Sequence, residues 1–176
     1  MQCKIRQWRM NDAKDLAEAL NNPKIHANLR DGLPLPYTEK DAAAFIESML
    51  GAPAESTYAF AITVDDKAVG SIGAFRKENI HCRTAEMGYY VAEPYWGKGL
   101  TSAAVKQTAG YVFENTDILR IFAEPFIYNA ASRRVLEKNG FVLEGVLREN
   151  AVKNGKTLDM VMYSLLRRDW EAANKE

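Results

Sequence analysis

A chain of 176 residues with 47% hydrophobic and 26% charged content has the make-up of one ordinary globular domain. Its 23 basic and 23 acidic residues cancel, which excludes the bulk positive field that gathers nucleic acid or anionic membrane. No apolar run approaches the roughly 20 residues that cross a bilayer, and two cysteines, Cys3 and Cys82, are too few for a disulfide scaffold or a four-ligand zinc site.

The opening stretch MQCKIRQWRMND lacks the apolar core of a signal peptide. Each cysteine reads as a small strand residue in a reducing compartment, so a cytoplasmic protein is expected. No repeat, low-complexity tract or linker divides the chain, and residues 1–176 read as a single domain. Cys3 to Arg9 alternates Cys3, Ile5 and Gln7 against Lys4, Arg6 and Trp8, a short strand whose inner face is ambiguous. Asn11 or Asp12 caps a helix over Ala13 to Leu20, which Asn21-Asn22-Pro23 ends. Lys24 to Tyr37 is irregular or only briefly helical, since Asp31-Gly32, Pro34 and Pro36 oppose a longer helix. Thr38 caps the next helix, with Ala42, Phe45, Ile46, Met49 and Leu50 at helical spacing and Gly51 as its end.

A β-rich region follows. Tyr58, Phe60, Ile62 and Val64 alternate with small residues, Asp65-Asp66-Lys67 turns, and Ala68 to Phe75 returns as an antiparallel hairpin. Gly70 and Gly73 in the return strand predict a bend or a close neighbour. Glu78 to Cys82 is a second turn, and Arg83 to Val91 completes a three-strand meander. A helix from Leu100 uses Ala104, Thr108, Tyr111 and Val112 and frays near Asn115. Ile118 to Ala123 is a short apolar strand, so the strand–helix–strand order implies a parallel crossover. Asn129 caps a helix with Ala131, Val135 and Leu136 inward, closed by Asn139-Gly140. Phe141 to Arg148 and Leu158 to Leu165 pair around an Asn154-Gly155 turn, and Arg167 to Ala173 forms a last helical turn. The result is an α+β fold. One mixed sheet has antiparallel ends and a central parallel pair, flanked by about four helices.

The functional signal lies between the meander and its helix. Tyr89 to Val91 ends a strand, Pro94 stops it, and Gly97 and Gly99 precede a helix N-terminus. Unpaired amide N–H groups there, with the helix dipole, suit a phosphate. Three phosphate-bearing ligands compete. A nucleotide P-loop needs Gly, four residues, then Gly-Lys-Ser/Thr, which Gly97-Lys98-Gly99 does not supply. A dinucleotide fingerprint needs a third glycine where Ser102 stands, and an early position in the chain. The third is coenzyme A.

Trp96-Gly97-Lys98-Gly99-Leu100-Thr101 resembles the Gln/Arg-x-x-Gly-x-Gly/Ala loop of the GCN5-related N-acetyltransferases (GNAT), with Trp96 and Thr101 as departures. Three further stretches resemble the ribosomal-protein (RimJ/RimL-type) branch: Leu33 to Thr38, Ala85 to Tyr89, and Asn129 to Phe141. The resemblance covers about residues 3 to 168 and implies acetyl-CoA as co-substrate, with no metal. It implies pyrophosphate held on amides of Trp96, Gly97, Lys98, Gly99, Leu100 and Thr101, and the pantetheine arm on backbone around Val91 and on Asn129. A helix N-cap is the plain reading of Asn129.

Acetyl transfer to an amine needs a base, and Glu86 is the candidate; otherwise it is a solvated strand residue or a partner for Arg83. Ser132 is the candidate proton donor to the departing thiolate, or else a first-turn serine bonded to local backbone. Tyr128 is the second-choice acid. Asp159 either orients the amine or forms a strand-end salt bridge. His26 and His81 read as surface residues, and Trp8, Tyr89 and Tyr90 as core aromatics. The leading expectation is an N-acetyltransferase that moves acetyl from acetyl-CoA to a primary amine, a protein N-terminal amine being one candidate, by direct attack in a ternary complex. The alternatives are a small-molecule amine acceptor (polyamine, antibiotic or amino acid) and a non-catalytic CoA sensor. No nucleic acid or membrane partner is expected, and a homodimer is an open alternative.

Overall fold

The computed structural model describes residues 2–175. The strands are β1 (Cys3–Arg6), β2 (Thr57–Val64), β3 (Lys67–Arg76), β4 (Thr84–Val91), β5 (Arg120–Ala123), β6 (Val142–Lys153) and β7 (Lys156–Leu166). The helices are α1 (Ala13–Leu20), α2 (Pro23–His26), α3 (Glu39–Leu50), α4 (Leu100–Asn115), α5 (Ala130–Lys138) and α6 (Arg167–Ala173). The strands make one mixed sheet in the order β1-β2-β3-β4-β5-β7-β6. Only β4 and β5 run parallel, at its centre. Four helices carry most of the helical residues; α2 has four residues and α6 seven.

Local chemistry sets these elements. Thr38 Oγ1 accepts the Asp41 N–H at 3.2 Å while the Asp41 carboxylate accepts the Thr38 N–H at 2.8 Å, a reciprocal cap that starts α3. Asp65 and Asp66 both hold positive φ (49° and 66°), the two-residue turn whose twist matches a hairpin. The close neighbour at Gly70 is β4: a Cβ there would lie 2.3 Å from the Tyr90 carbonyl oxygen.

Several boundaries differ from expectation. β1 stops at Arg6, because the Arg9 N–H bonds the Asp12 carboxylate at 2.8 Å instead of a neighbouring strand. Asp12 therefore does not cap α1 through its side chain. It is buried and takes both terminal nitrogens of Arg6 at 2.8 Å. β6 runs on to Lys153, beyond Arg148, through an irregularity between Leu147 and Ala151 where Glu149 has φ +52°. In α4, Tyr111 lies outward at 43% exposure against the edge of Phe60, and Val105, Ala109 and Phe113 join the buried side. Ala131 is exposed, because α5 covers the sheet through Leu136 and Val135.

The sheet buries both faces. Residues opposite one another share a face, so Ile62, Ile72 and Met87 meet α4, while Ala61 and Tyr90 meet α1 and α3. β5 is short, and its pairing with β4 ends at Glu86 opposite Phe122. Beyond that point the chain turns to β7, where Phe126 bridges Met160 and Pro125 accepts the Val161 N–H. Arg83 O accepts from Leu119 on the β5 side, and Ala92 N–H donates to Val69 on the β3 side. Strand alternation between these two anchors turns the backbone groups of Met87, Tyr89 and Val91 into the gap that β5 vacates.

Candidate active site

The glycine loop closes the end of that gap. A single helical turn, Glu93–Tyr95, is followed by Gly97 (φ +72°) and Gly99 (φ +76°), both left-handed. A Cβ at either would meet no protein atom within 4 Å, so the space above them is open. The Ala103 N–H to Gly99 carbonyl bond, 3.0 Å, opens α4. The N–H groups of Leu100, Thr101 and Ser102 are therefore left for a ligand. A negatively charged, oxygen-rich group such as a pyrophosphate fits this amide cradle.

Two side chains of the loop find their partners within the protein. Trp96 Nε1 donates to the Val91 carbonyl at 2.6 Å. That bond pins the loop to the end of β4 and occupies the Val91 oxygen, leaving the Met87 and Tyr89 backbone and the Val91 N–H as the open edge. Lys98 lies over the Tyr95 ring, 5.5 Å from its centroid, and does not line the cleft. The positive field of the loop is thus a backbone property.

On the far side of the gap, Asn129 Oδ1 accepts the Ser132 N–H at 3.1 Å and caps α5. The Ser132 hydroxyl lies 2.8 Å from the Tyr89 hydroxyl. Burial pushes Tyr89 up to about 12, against the pull of the Ser132 hydrogen bond, so its hydroxyl keeps its proton at neutral pH. Tyr89 and Tyr90 pack against the core, as expected, and each also lines the cleft. Tyr128 stacks on Phe126, with ring centroids 5.3 Å apart, and donates its hydroxyl to the Ala27 carbonyl. That bond ties the segment before α5 to the 21–37 segment and commits the Tyr128 proton.

The acidic end of the cleft is a cluster of four charges. Glu86 pairs with Arg30 through one oxygen and with Lys77 Nζ at 3.3 Å through the other. Arg83, its expected partner, pairs with Asp117 instead. Glu124, one residue past β5, sits 3.9 Å from the same Arg30. Burial, and then the charge of Glu86, raise the Glu124 carboxyl above its ordinary range, while Arg30 and Lys77 oppose the shift. Sequence reasoning missed Glu124. Its one local signal was an acid between a buried strand and Pro125, at the strand end where open sheets bind ligands.

One cleft of 1220 Å³ brings together Glu86, Val91, Trp96, Gly97, Gly99, Leu100, Thr101, Asn129 and Ser132, with Glu124, Arg30 and Tyr89 added. Asp159 does not line the cleft and forms no salt bridge among the described residues; it accepts the Glu149 N–H at 2.7 Å and holds the β6 irregularity. His26 is half-buried with Nε2 2.7 Å from the Leu20 carbonyl, and His81 is exposed in its turn. No group of three or more His, Cys, Asp or Glu among the described residues could hold a metal, and no described helix is long and apolar enough to cross a membrane.

These features coincide with known proteins. The profile of the acetyltransferase (GNAT) domain matches residues 3–142. The ribosomal-protein-serine acetyltransferase of Escherichia coli is 30% identical over 105 residues, covering 60% of this chain and 58% of that one. The chain spans 55–59% of the length of four relatives matched at 30–36% identity. A GNAT-family acetyltransferase from Bacillus anthracis superposes with TM-score 0.82 at 25% identity, over 96% of each chain. The Mycobacterium smegmatis RimJ in complex with a CoA disulfide superposes with TM-score 0.83 at 21% identity, over 98% and 90%. The splayed centre, the glycine cradle and the matched profile lead to one conclusion: the chain belongs to the GNAT acetyltransferases, the acetyl-CoA-dependent N-acyltransferases, among relatives that include RimJ/RimL-type ribosomal-protein acetyltransferases.

Proposed function

We propose that the cleft transfers an acetyl group from acetyl-CoA directly to a primary amine, both held at once. One observation carries this reading: the unpaired Met87–Val91 edge joins an anion cradle at one end to the Glu86–Glu124–Arg30 cluster at the other, inside a single cleft. Bound acetyl-CoA supplies the thioester-activated acetyl group. The amides of Gly97 to Ser102 bind its pyrophosphate, and the backbone of Tyr89 and the Val91 N–H align the arm and face the carbonyl oxygen as it gains charge. Holding the amine beside the thioester accounts for much of the acceleration, because it turns a bimolecular encounter into an internal one.

The acid cluster removes the ammonium proton, directly or through water. Both Glu86 oxygens are engaged by cations, whereas the Glu124 carboxyl has its proton affinity raised by burial and by Glu86. Glu124 is therefore the acceptor of the proton and Glu86 holds the cluster's charge in place. At the opposite wall the Ser132 hydroxyl, hydrogen-bonded to Tyr89, donates toward the departing sulfur and is reprotonated through water by the second proton that the acylated nitrogen sheds, and the Asn129 amide faces the arm. The relative in Escherichia coli, named for a ribosomal-protein serine, supports a protein amine as acceptor.

The test is release of free thiol from acetyl-CoA in the presence of N-terminal peptides and small amines. CoA binding is measured in parallel by calorimetry. Tight CoA binding with no turnover on any acceptor would replace this reading with a CoA sensor.

A further inference from the structure

Resting on the acetyltransferase reading, the acceptor side of the cleft narrows the class of amine. Ala59 on β2, Gly73 on β3 and Gly88 on β4 stand opposite one another in register. They share the sheet face that carries Glu86, since Glu86 and Gly88 are two residues apart on one strand. This row has almost no side chain of its own, but the Phe75 ring lies over Gly73, where a Cβ would come within 2.7 Å of it, so the open part of the floor is at Gly88. Gly88 is exposed although β4 is a central strand, and a Cβ placed on it would meet nothing within 4 Å. The walls are apolar and incompletely covered. Leu29 and Phe45 are half-buried, and Phe75 is 40% exposed beside Gly73. The lining carries negative charge that suits a protonated amine at Glu86 and Glu124, while its third acid, Asp31, is paired with Lys153 at 2.8 Å.

We infer that the space over Gly88, walled by the Phe75 ring that covers Gly73, seats an apolar substituent of the acceptor, whose amine lies at the Glu86–Glu124 pair. Two residues along a strand span roughly 7 Å. An amine at Glu86 thus reaches the floor at Gly88 with a side chain the length of leucine or phenylalanine. The acceptor is a primary amine bearing a compact hydrophobic group, as a free amine or as a protein N-terminal residue. The absence of a side chain at Gly88 sets the permitted size.

The test compares kcat/KM for glycinamide, leucinamide, phenethylamine and spermidine, and for two otherwise identical peptides beginning with Gly or Leu. Leucinamide and phenethylamine should exceed glycinamide by about tenfold or more, the range that apolar pockets achieve per added group. A preference confined to the peptides assigns the source as a protein N-terminus. A preference shown equally by the free amines assigns it as a small molecule. Gly88→Val should bring the leucinamide-to-glycinamide ratio down to within about threefold, with CoA affinity reporting an intact fold. If valine disturbs CoA binding, Gly88→Ala, whose methyl enters open space, must still lower the ratio. Equal rates on glycinamide and leucinamide together with equal rates on the Gly and Leu peptides, or a preference for spermidine, would overturn the inference, as would a ratio untouched by both variants in whichever series shows it. If CoA binds but no amine turns over, the enzyme reading fails separately. Calorimetry of phenethylamine with the CoA-bound protein then decides this site, since binding must exist and weaken at least about tenfold in Gly88→Val.

Discussion

Replacing Gly99 by alanine separates two roles of one residue. Gly99 holds φ +76° at the start of α4, and the added methyl would meet no protein atom within 4 Å. Steric collision therefore contributes nothing, and the stability cost is the left-handed strain alone, about 1–2 kcal/mol for an L-residue. Reduced freedom of the unfolded chain offsets roughly 0.4–1 kcal/mol of that. The net loss of about 1 kcal/mol lowers Tm by about 2–4 °C for a chain of this size. Ligand binding gives the second reading. The methyl enters the open space of the cradle and displaces at least one charge-assisted hydrogen bond, worth about 2 kcal/mol or about 30-fold in CoA affinity. CoA at 100 times its Kd stabilises the parent by about 2.7 kcal/mol, a rise of about 5–10 °C. At the same CoA concentration the variant should gain only about 0.9 kcal/mol, or about 2–4 °C. Thermal unfolding with and without CoA measures both. A variant that loses stability without ligand yet keeps the full CoA-induced rise would show that the pyrophosphate does not rest on this loop.

Four further outcomes follow from the same geometry. Glu124→Gln should cut kcat about 100-fold and flatten the acid limb of the pH–rate profile, since the rate needs the deprotonated carboxylate and its proton affinity is raised; an unchanged limb would remove Glu124 from the proton path. Ser132→Ala and Tyr89→Phe should each lower kcat roughly tenfold while leaving CoA affinity nearly unchanged, and the double variant should cost less than the product because the two hydroxyls share one hydrogen bond; multiplicative losses measured by steady-state kinetics would show that they act separately. Asp12→Ala should destabilise the fold by about 3 kcal/mol, because it strands Arg6 and frees the Arg9 N–H. Burial works to raise the Asp12 carboxyl, but the Arg6 and Arg9 hydrogen bonds outweigh it and hold it below its ordinary range. Its stability contribution is thus present above the unfolded value near pH 4 and lost as pH falls further, so urea melts from pH 6 to 3 should slope less in Asp12→Ala.

Much of the fold was legible because its punctuation is local. Thr38 and Asp41 cap a helix through atoms three residues apart, and Asp65-Asp66 and Asn154-Gly155 turn hairpins by backbone preference alone. Misplaced boundaries trace to contacts between distant residues. β1 ends where Asp12 captures the Arg9 N–H, and β6 continues because Asp159 braces the Glu149 irregularity from the facing strand. Ala131 fitted the inward stripe of α5 by spacing, yet the gap left by β5 exposes that end of the helix.

The candidate site divides the same way. The glycine loop could be read as an anion cradle from sequence, since left-handed backbone and unpaired helix amides depend on a few consecutive residues. The partners of its side chains could not. Trp96 bonds the Val91 carbonyl and Lys98 turns to Tyr95, although both stand in the middle of the motif. Glu86 was legible as a strand carboxylate, but Arg30, Lys77 and Glu124 reach it from three other segments. The sequence alone determined the order of elements, the glycine turn into α4 and the family, because capping, turn geometry and motif spacing act over a few residues. Tertiary structure alone decided the open β4 edge, the charge on the acid cluster and the glycine floor beside it. Each depends on where strands part or stand in register, and on which charges share low-dielectric space, and those are properties of residues far apart in the chain.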